Sequence, residues 1–382
     1  MIPLSIPKIE GNESKYVLDC LETGWISSAG SYVTQFEEMV AEYAGAKYGV
    51  ACMNGTVGLH IAQILLGVTA DDHVIAPNIT FIATLNAIKY TGATPILIDV
   101  DADNWQMDLN LLEKYLQENT ELKTSNNGTF SFDKSTGKRV RAIMPVHVLG
   151  NIGDMNRMLE IAGKYHLDII EDSTEALGST FDGKHAGTFG KIGVFSFNGN
   201  KIISTGGGGV IVTDDEEIAK KAKHLTTQAK VSAMDYIHDE IGYNYRLVNV
   251  LAAIGVAQME TFPETLKAKK TMDAFYRKHL EGIGDIKFQA IPEGTDPNCW
   301  LFTFSTSRMR ELLDYLNKNG VQSRPFWMPM NQLVMFKDDI YFTEKDVSAS
   351  VYENSISIPS SAGITGEQLE EVVRVIKDFF KS

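Results

Sequence analysis

Lys201 stands in the run Phe195-Ser196-Phe197-Asn198-Gly199-Asn200-Lys201, followed by Ile202-Ile203-Ser204-Thr205, the glycines 206–209 and the apolar Val210-Ile211-Val212. A lysine between a polar turn and a glycine run suits an amine that forms and breaks a Schiff base with an aldehyde cofactor. A solvated lysine beside a flexible loop is the competing reading of this segment alone. Other segments bear on the choice. Asn54-Gly55-Thr56-Val57-Gly58 offers backbone N–H groups and the Thr56 hydroxyl to a phosphate, or is an ordinary turn capped by Thr56. Phe81, in Ile79-Thr80-Phe81-Ile82-Ala83-Thr84, can stack on a flat heteroaromatic ring or fill the core. Asp172, closing Asp168-Ile169-Ile170-Glu171-Asp172, can keep a pyridine nitrogen protonated or cap a helix starting at Ser173. Ser196 can add a hydroxyl to the same phosphate or simply end a strand. In chain order these are the parts that pyridoxal phosphate requires.

The elements that must position them alternate. Strands are predicted at Tyr48–Met53, His73–Ala76, Thr94–Asp99, Val140–Val146 and Leu167–Glu171. Helices are predicted at Thr56–Leu66, about Ile82–Tyr90 and near Asp154–Tyr165. Strands separated by helices imply an α/β fold with a mostly parallel sheet covered on both faces. Ligands of such sheets sit beyond the carboxyl ends of the strands, where every motif above falls. Glu121–Lys138, with Ser125-Asn126-Asn127-Gly128 and Asp133-Lys134-Ser135-Thr136-Gly137, reads as a surface hairpin or loop without catalytic role. Past residue 250 the pattern changes. Long helices at Val250–Thr261 and Pro263–Gly282, short strands near Ile286–Gln289 and Trp300–Phe304, and a helix at Met309–Asn319 suggest a smaller α+β domain. The expected division is 1–250 for the large domain and 251–382 for the small one.

The 382 residues allow a substantial core, and 44% hydrophobic with 22% charged residues is ordinary for a globular chain. A net charge of −14 argues against nucleic acid or an anionic membrane as partner, while leaving room for a small anionic ligand held by local donors. Cys20, Cys52 and Cys299 form no CxxC pair, so neither a disulfide framework nor a metal site is expected. The opening residues lack a signal peptide's pattern, and no apolar run spans a bilayer; both point to the cytoplasm.

Taken together the sequence resembles the DegT-type nucleotide-sugar aminotransferases, within the aspartate-aminotransferase-like fold type I group of pyridoxal phosphate enzymes. The resemblance runs from Leu4 to at least Gln332. It is carried by the motifs above and by Gly24-Trp25-Ile26-Ser27-Ser28-Ala29-Gly30, Pro145-Val146-His147, Glu171-Asp172-Ser173-Thr174-Glu175-Ala176 and Gly242-Tyr243-Asn244-Tyr245-Arg246. It implies that Lys201 binds the cofactor, Asp172 pairs with the pyridine nitrogen and Phe81 stacks on the ring. Thr56, the Val57 backbone and Ser196 would hold the phosphate. Glu175 stands where many relatives carry glutamine or histidine near the cofactor's phenolic oxygen. The resemblance also implies a homodimer with shared sites, in which Asn244 reaches the neighbour's phosphate. Trp25, Ser27, His147 and Arg324 are candidate substrate contacts, with a structural salt bridge as the alternative for Arg324; no such role is carried over to Asn331. The implied reaction moves an amino group from L-glutamate, by way of pyridoxamine phosphate, to C4 of a nucleotide-linked 4-keto-6-deoxy sugar, with amination at C3 or a GDP- or dTDP-linked sugar as the alternative. Phe197–Ile203 and Gln322-Ser323-Arg324-Pro325-Phe326-Trp327 look most like the branch making UDP-linked, N-acetylated 4-amino sugars on the route to bacillosamine and legionaminic acid, for surface glycans such as O-antigen. A cofactor-dependent sugar dehydratase is disfavoured because similar dehydrases carry histidine in place of the lysine. A non-catalytic sugar-nucleotide sensor is disfavoured because both Lys201 and Asp172 are present.

Overall fold

The computed structural model describes residues 1–126, 128–232 and 234–381. The described residues build a ten-stranded sheet whose main path runs Tyr48–Cys52, Gly209–Thr213, Ile192–Ser196, Asp168–Asp172, Arg139–Ile143, Asp72–Pro77, Thr94–Ile98 and Ile340–Phe342. From Ile192–Ser196 to Ile340–Phe342 every neighbouring pair is parallel. Gly209–Thr213 alone on this path runs against its neighbours. The α/β architecture with a mostly parallel sheet is as expected.

Both faces of this sheet are covered, which is why its strands read as apolar runs. Along Asp72–Pro77 the side chains alternate. Val74 and Ala76 pack with Leu59, Ile61 and Leu85 from the helices Gly55–Leu65 and Ala83–Tyr90, while Ile75 packs with Leu112, Leu116 and Ile161 from Leu109–Asn119 and Met155–Lys164. Elsewhere Ser31–Ala44 and Asn249–Glu260 bring Phe36 and Val256 against Ala51 and Val210.

The predicted surface hairpin is one: Thr120–Ser125 pairs antiparallel with Gly128–Asp133, and the second strand continues the large sheet through Ser131 and Phe132. Asn127, within that prediction, lies outside the described residues. A second, four-stranded antiparallel sheet joins Lys287–Phe288, Thr303–Ser305, Ser355–Ser357 and Arg324–Pro325. Phe304 and Ile356 from it pack with Tyr276, Leu312 and Ile376 from Phe262–Leu280, Met309–Lys318 and Gly366–Lys381. Ile340–Phe342 leaves this group and pairs with Thr94–Ile98 at the edge of the large sheet.

Candidate active site

The strand Asp168–Asp172 delivers Asp172 to the carboxyl edge of the sheet with only 3% of its surface accessible. Its Oδ2 accepts a 2.7 Å bond from the Thr84 hydroxyl, and its Oδ1 one of 3.2 Å from the Thr174 N–H. A turn follows, so the helix-cap reading of Asp172 falls away. Thr84 belongs to the motif around Phe81, yet nothing local in the sequence links it to Asp172.

The helix Gly55–Leu65 starts at the same edge. Its cap is Asn54, whose Oδ1 accepts from the Val57 N–H at 3.0 Å; the reading of Thr56 as the cap is corrected. The N–H expected to bind phosphate from Val57 is therefore already engaged, and the first-turn donors without an acceptor inside the helix are those of Gly55 and Thr56. Gly55 lies so close to its neighbours that a Cβ there would stand 2.9 Å from Ser196 Cβ and Thr174 Cγ2. Gly209, opposite Ser196 in the ladder, is equally tight against the backbone of Asn54. The helix start, Ser196 and Thr174 thus meet at Gly55. An anion fits the donors there.

Lys201 follows the turn closed by its N–H to Asn198 O at 3.0 Å. Its side chain is largely enclosed, with Nζ 3.7 Å from Glu175 Oε1 and 4.2 Å from the centroid of the Trp300 ring. The solvated-lysine reading is thereby set aside. Glu175 Oε2 accepts from the Leu149 N–H at 2.8 Å. Burial pushes the Glu175 carboxyl up to about 7; the Lys201 charge pulls the other way, and that of Asp172 adds to the rise. At neutral pH this residue can hold or release a proton.

The remaining candidates separate. Phe81 is 53% exposed, which rules out a core role, and its ring meets Trp327 edge-on at 6.4 Å. Trp25 and Ser27 are exposed on the loop ahead of Ser31–Ala44, held through Trp25 O and Ser27 O by Asn249. His147 is not turned to an open cleft: it is 1% exposed, and its Nε2 lies 2.9 Å from Glu171 Oε2. Arg324 is exposed and bonded to Ser323 O, with no ion pair to a carboxylate among the described residues. Asn331 pairs with Asn78. Asn244 is exposed and bridges to Thr227.

A lysine amine, a carboxylate fixed at a strand end, an exposed aromatic ring and a helix start with two free N–H groups all lie along one edge of the sheet. They fit pyridoxal phosphate. The chain belongs to the DegT/DnrJ/EryC1/StrS aminotransferase family. The family pattern matches residues 7–377. The GDP-perosamine synthase of Vibrio cholerae is 34% identical over 100% of this chain and 99% of its own. EpsN of Bacillus subtilis (strain 168), named for a pyridoxal phosphate-dependent aminotransferase, is 34% identical over 99% of this chain and 96% of its own. The sugar aminotransferase Spr1654 from Streptococcus pneumoniae, solved in its PMP form, shares the fold at a TM-score of 0.89, with 24% identity over 100% of this chain and 99% of that one. The chain is a pyridoxal phosphate-dependent sugar aminotransferase acting on nucleotide sugars.

Proposed function

We propose that this enzyme transfers the amino group of L-glutamate to C4 of a nucleotide-linked 4-keto-6-deoxy sugar, with the cofactor attached at Lys201. The observation that carries the reading is the enclosed Lys201 amine beside Glu175, at the sheet edge where Thr84 fixes Asp172. When bound, pyridoxal phosphate supplies an electron sink for the carbanion formed next to the migrating nitrogen. Asp172 keeps the ring nitrogen protonated, and Thr84 aims its carboxylate. Phe81 covers a face of the ring. Thr56, Ser196 and the free N–H groups of Gly55 and Thr56 would hold the phosphate, the Val57 N–H being taken by Asn54. Glu175, able to carry a proton near pH 7, would stand by the phenolic oxygen. Lys201 Nζ would hold the cofactor between turnovers and act as the group that takes up and returns the proton at Cα of glutamate.

Amination at C4 is supported by sequence similarity to several relatives, against one relative of 30% identity over 91% of this chain, from Acidithiobacillus ferrooxidans, named for a 3-amination. The segments Phe197–Ile203 and Gln322–Trp327 resemble the 4-amino-4,6-dideoxy-sugar branch, and perosamine is itself a 4-amino-4,6-dideoxyhexose. A Shewanella sediminis relative, 29% identical over 78% of this chain, is named UDP-4-amino-4-deoxy-L-arabinose–oxoglutarate aminotransferase, which supports both C4 and glutamate as donor. The resemblance favours a UDP-linked N-acetylated sugar bound near Trp25, Ser27 and Arg324. A second reading, a GDP-linked sugar, is favoured by the perosamine synthases at 34% to 35% identity. Incubation with glutamate and UDP-, GDP- and dTDP-4-keto-6-deoxy sugars decides between them. A 4-amino product by mass and NMR is expected; amination only at C3 would overturn the reading.

The active unit in this reading is a homodimer. The loop leading to Asn244 exposes Met234 at 89%, Tyr236 at 90% and Ile241 at 83%, an apolar surface that suits a second copy.

A further inference from the structure

None of the roles above uses Trp300, whose indole lies 4.2 Å from Lys201 Nζ. This residue is 2% exposed and bonded at every polar atom. Its Nε1–H donates to Asn200 O at 2.7 Å, one residue before Lys201. Its backbone N–H donates to Asn298 Oδ1 at 3.0 Å, and its carbonyl accepts from Lys269 Nζ at 2.6 Å.

Asn298 carries the connection to the other side of the amine. It is fully buried, and its Nδ2 donates to Glu175 O and Leu177 O, both at 2.8 Å. Its own N–H donates to Ser179 Oγ at 3.0 Å. Between the two residues, Cys299 adopts φ 57, a left-handed conformation that a non-glycine residue keeps only where the surroundings impose it. One short segment therefore fixes the backbone of Glu175 and the backbone next to Lys201 at once.

Lys269 anchors that segment from Phe262–Leu280. It is 2% exposed and donates to Ser360 O as well as to Trp300 O. Burial pushes its amine down to about 7, and a neutral amine has just two N–H bonds for those two carbonyls.

We propose that Trp300 is a positioning residue for transamination, holding the Lys201 amine between its indole face and Glu175, and is itself held by Asn298 and Lys269. The proposal rests on Lys201 being the attachment point. The ring face attracts the ammonium form of the amine, and the Nε1–H bond fixes where the Lys201 turn sits. A displacement of about 1 Å at a reacting group is enough to cost on the order of a hundredfold in rate.

The test compares the wild type with Trp300→Phe, Trp300→Leu and Tyr115→Phe. The last loses a buried hydrogen bond to Asp133 in the distant hairpin and controls for stability. Two quantities are read on the full-length protein. One is the rate at which added pyridoxal phosphate attaches to Lys201 after cofactor removal, followed by borohydride reduction and peptide mapping. The other is kcat and KM of the loaded enzyme. Trp300→Leu is expected to slow attachment about tenfold or more and to lower kcat about 10- to 100-fold, with KM for either substrate changed less than about threefold. Trp300→Phe, which keeps a ring but loses the donor, should fall between and serves if the leucine variant does not fold. Tyr115→Phe should match the wild type in both readings. Wild-type attachment rate and kcat in a folded Trp300 variant would overturn the proposal alone. Label away from Lys201 in the wild type would overturn the attachment reading and this proposal with it.

Discussion

Glu171 and Glu175 leave the same strand and turn four residues apart, both almost fully buried, and their surroundings differ in kind. Glu171 is surrounded by donors: His147 Nε2 at 2.9 Å, Gly187 N–H at 2.8 Å and Gly190 N–H at 2.6 Å. Glu175 has one backbone donor, Leu149, and a lysine at 3.7 Å, beyond hydrogen-bond length. A buried carboxylate given three donors is part of the scaffold. One given a single donor and a mobile charge is free to exchange a proton. In the proposed reaction Glu175 is the carboxyl able to exchange a proton, while Glu171 braces the strand.

The largest expected effect falls on the braced carboxylate. Glu171→Ala strands His147 and two backbone N–H groups in the core and should destabilise the protein by about 3–5 kcal/mol in urea melts. A loss below about 1 kcal/mol would erase the contrast. Glu175→Gln should act through pH. A carboxyl raised in the folded state favours folding fully below its unfolded value of 4.5 and loses that contribution as pH rises through about 7. The substitution should therefore stabilise the protein at pH 8, by up to about 3 kcal/mol, and change little at pH 4. An equal effect at both pH values would mean that Glu175 is not held protonated. The smallest effect on stability belongs to Thr84→Val, which removes the bond to Asp172 and the same hydroxyl's contacts with Thr80 and Phe81; kcat/KM for the glutamate half-reaction should fall about tenfold with a loss of stability of about 1 kcal/mol.

How much of this could be read from the chain follows from the range of the contacts. The helix start at Asn54, the strand ending in Asp172 and the turn before Lys201 carry their signals within a few residues, as glycines, caps and apolar runs. Their placement along one sheet edge then follows from strand–helix alternation. Thr84 and Asp172 are 88 residues apart, and Trp300 meets Asn200 across 100. No local pattern encodes such a bond. The same holds for Ile340–Phe342, three residues that become a strand only because Thr94–Ile98 offers an open edge. His147 is a candidate through the resemblance carried by Pro145-Val146-His147, and the neighbour that claims it, Glu171, is visible only once the two strands lie side by side. Asn54 took the cap from Thr56 because the backbone before the helix is extended at 54, with φ −169 and ψ 170, which brings its side chain round to the Val57 N–H.

The claim on which the rest depends is the covalent attachment at Lys201. Borohydride reduction of the yellow holoprotein, digestion and mass mapping should place the reduced pyridoxyl adduct on the peptide containing Asn200-Lys201-Ile202, and Lys201→Ala should leave every peptide unlabelled. Adduct on another lysine, or an undiminished yield in the alanine variant, would contradict the account.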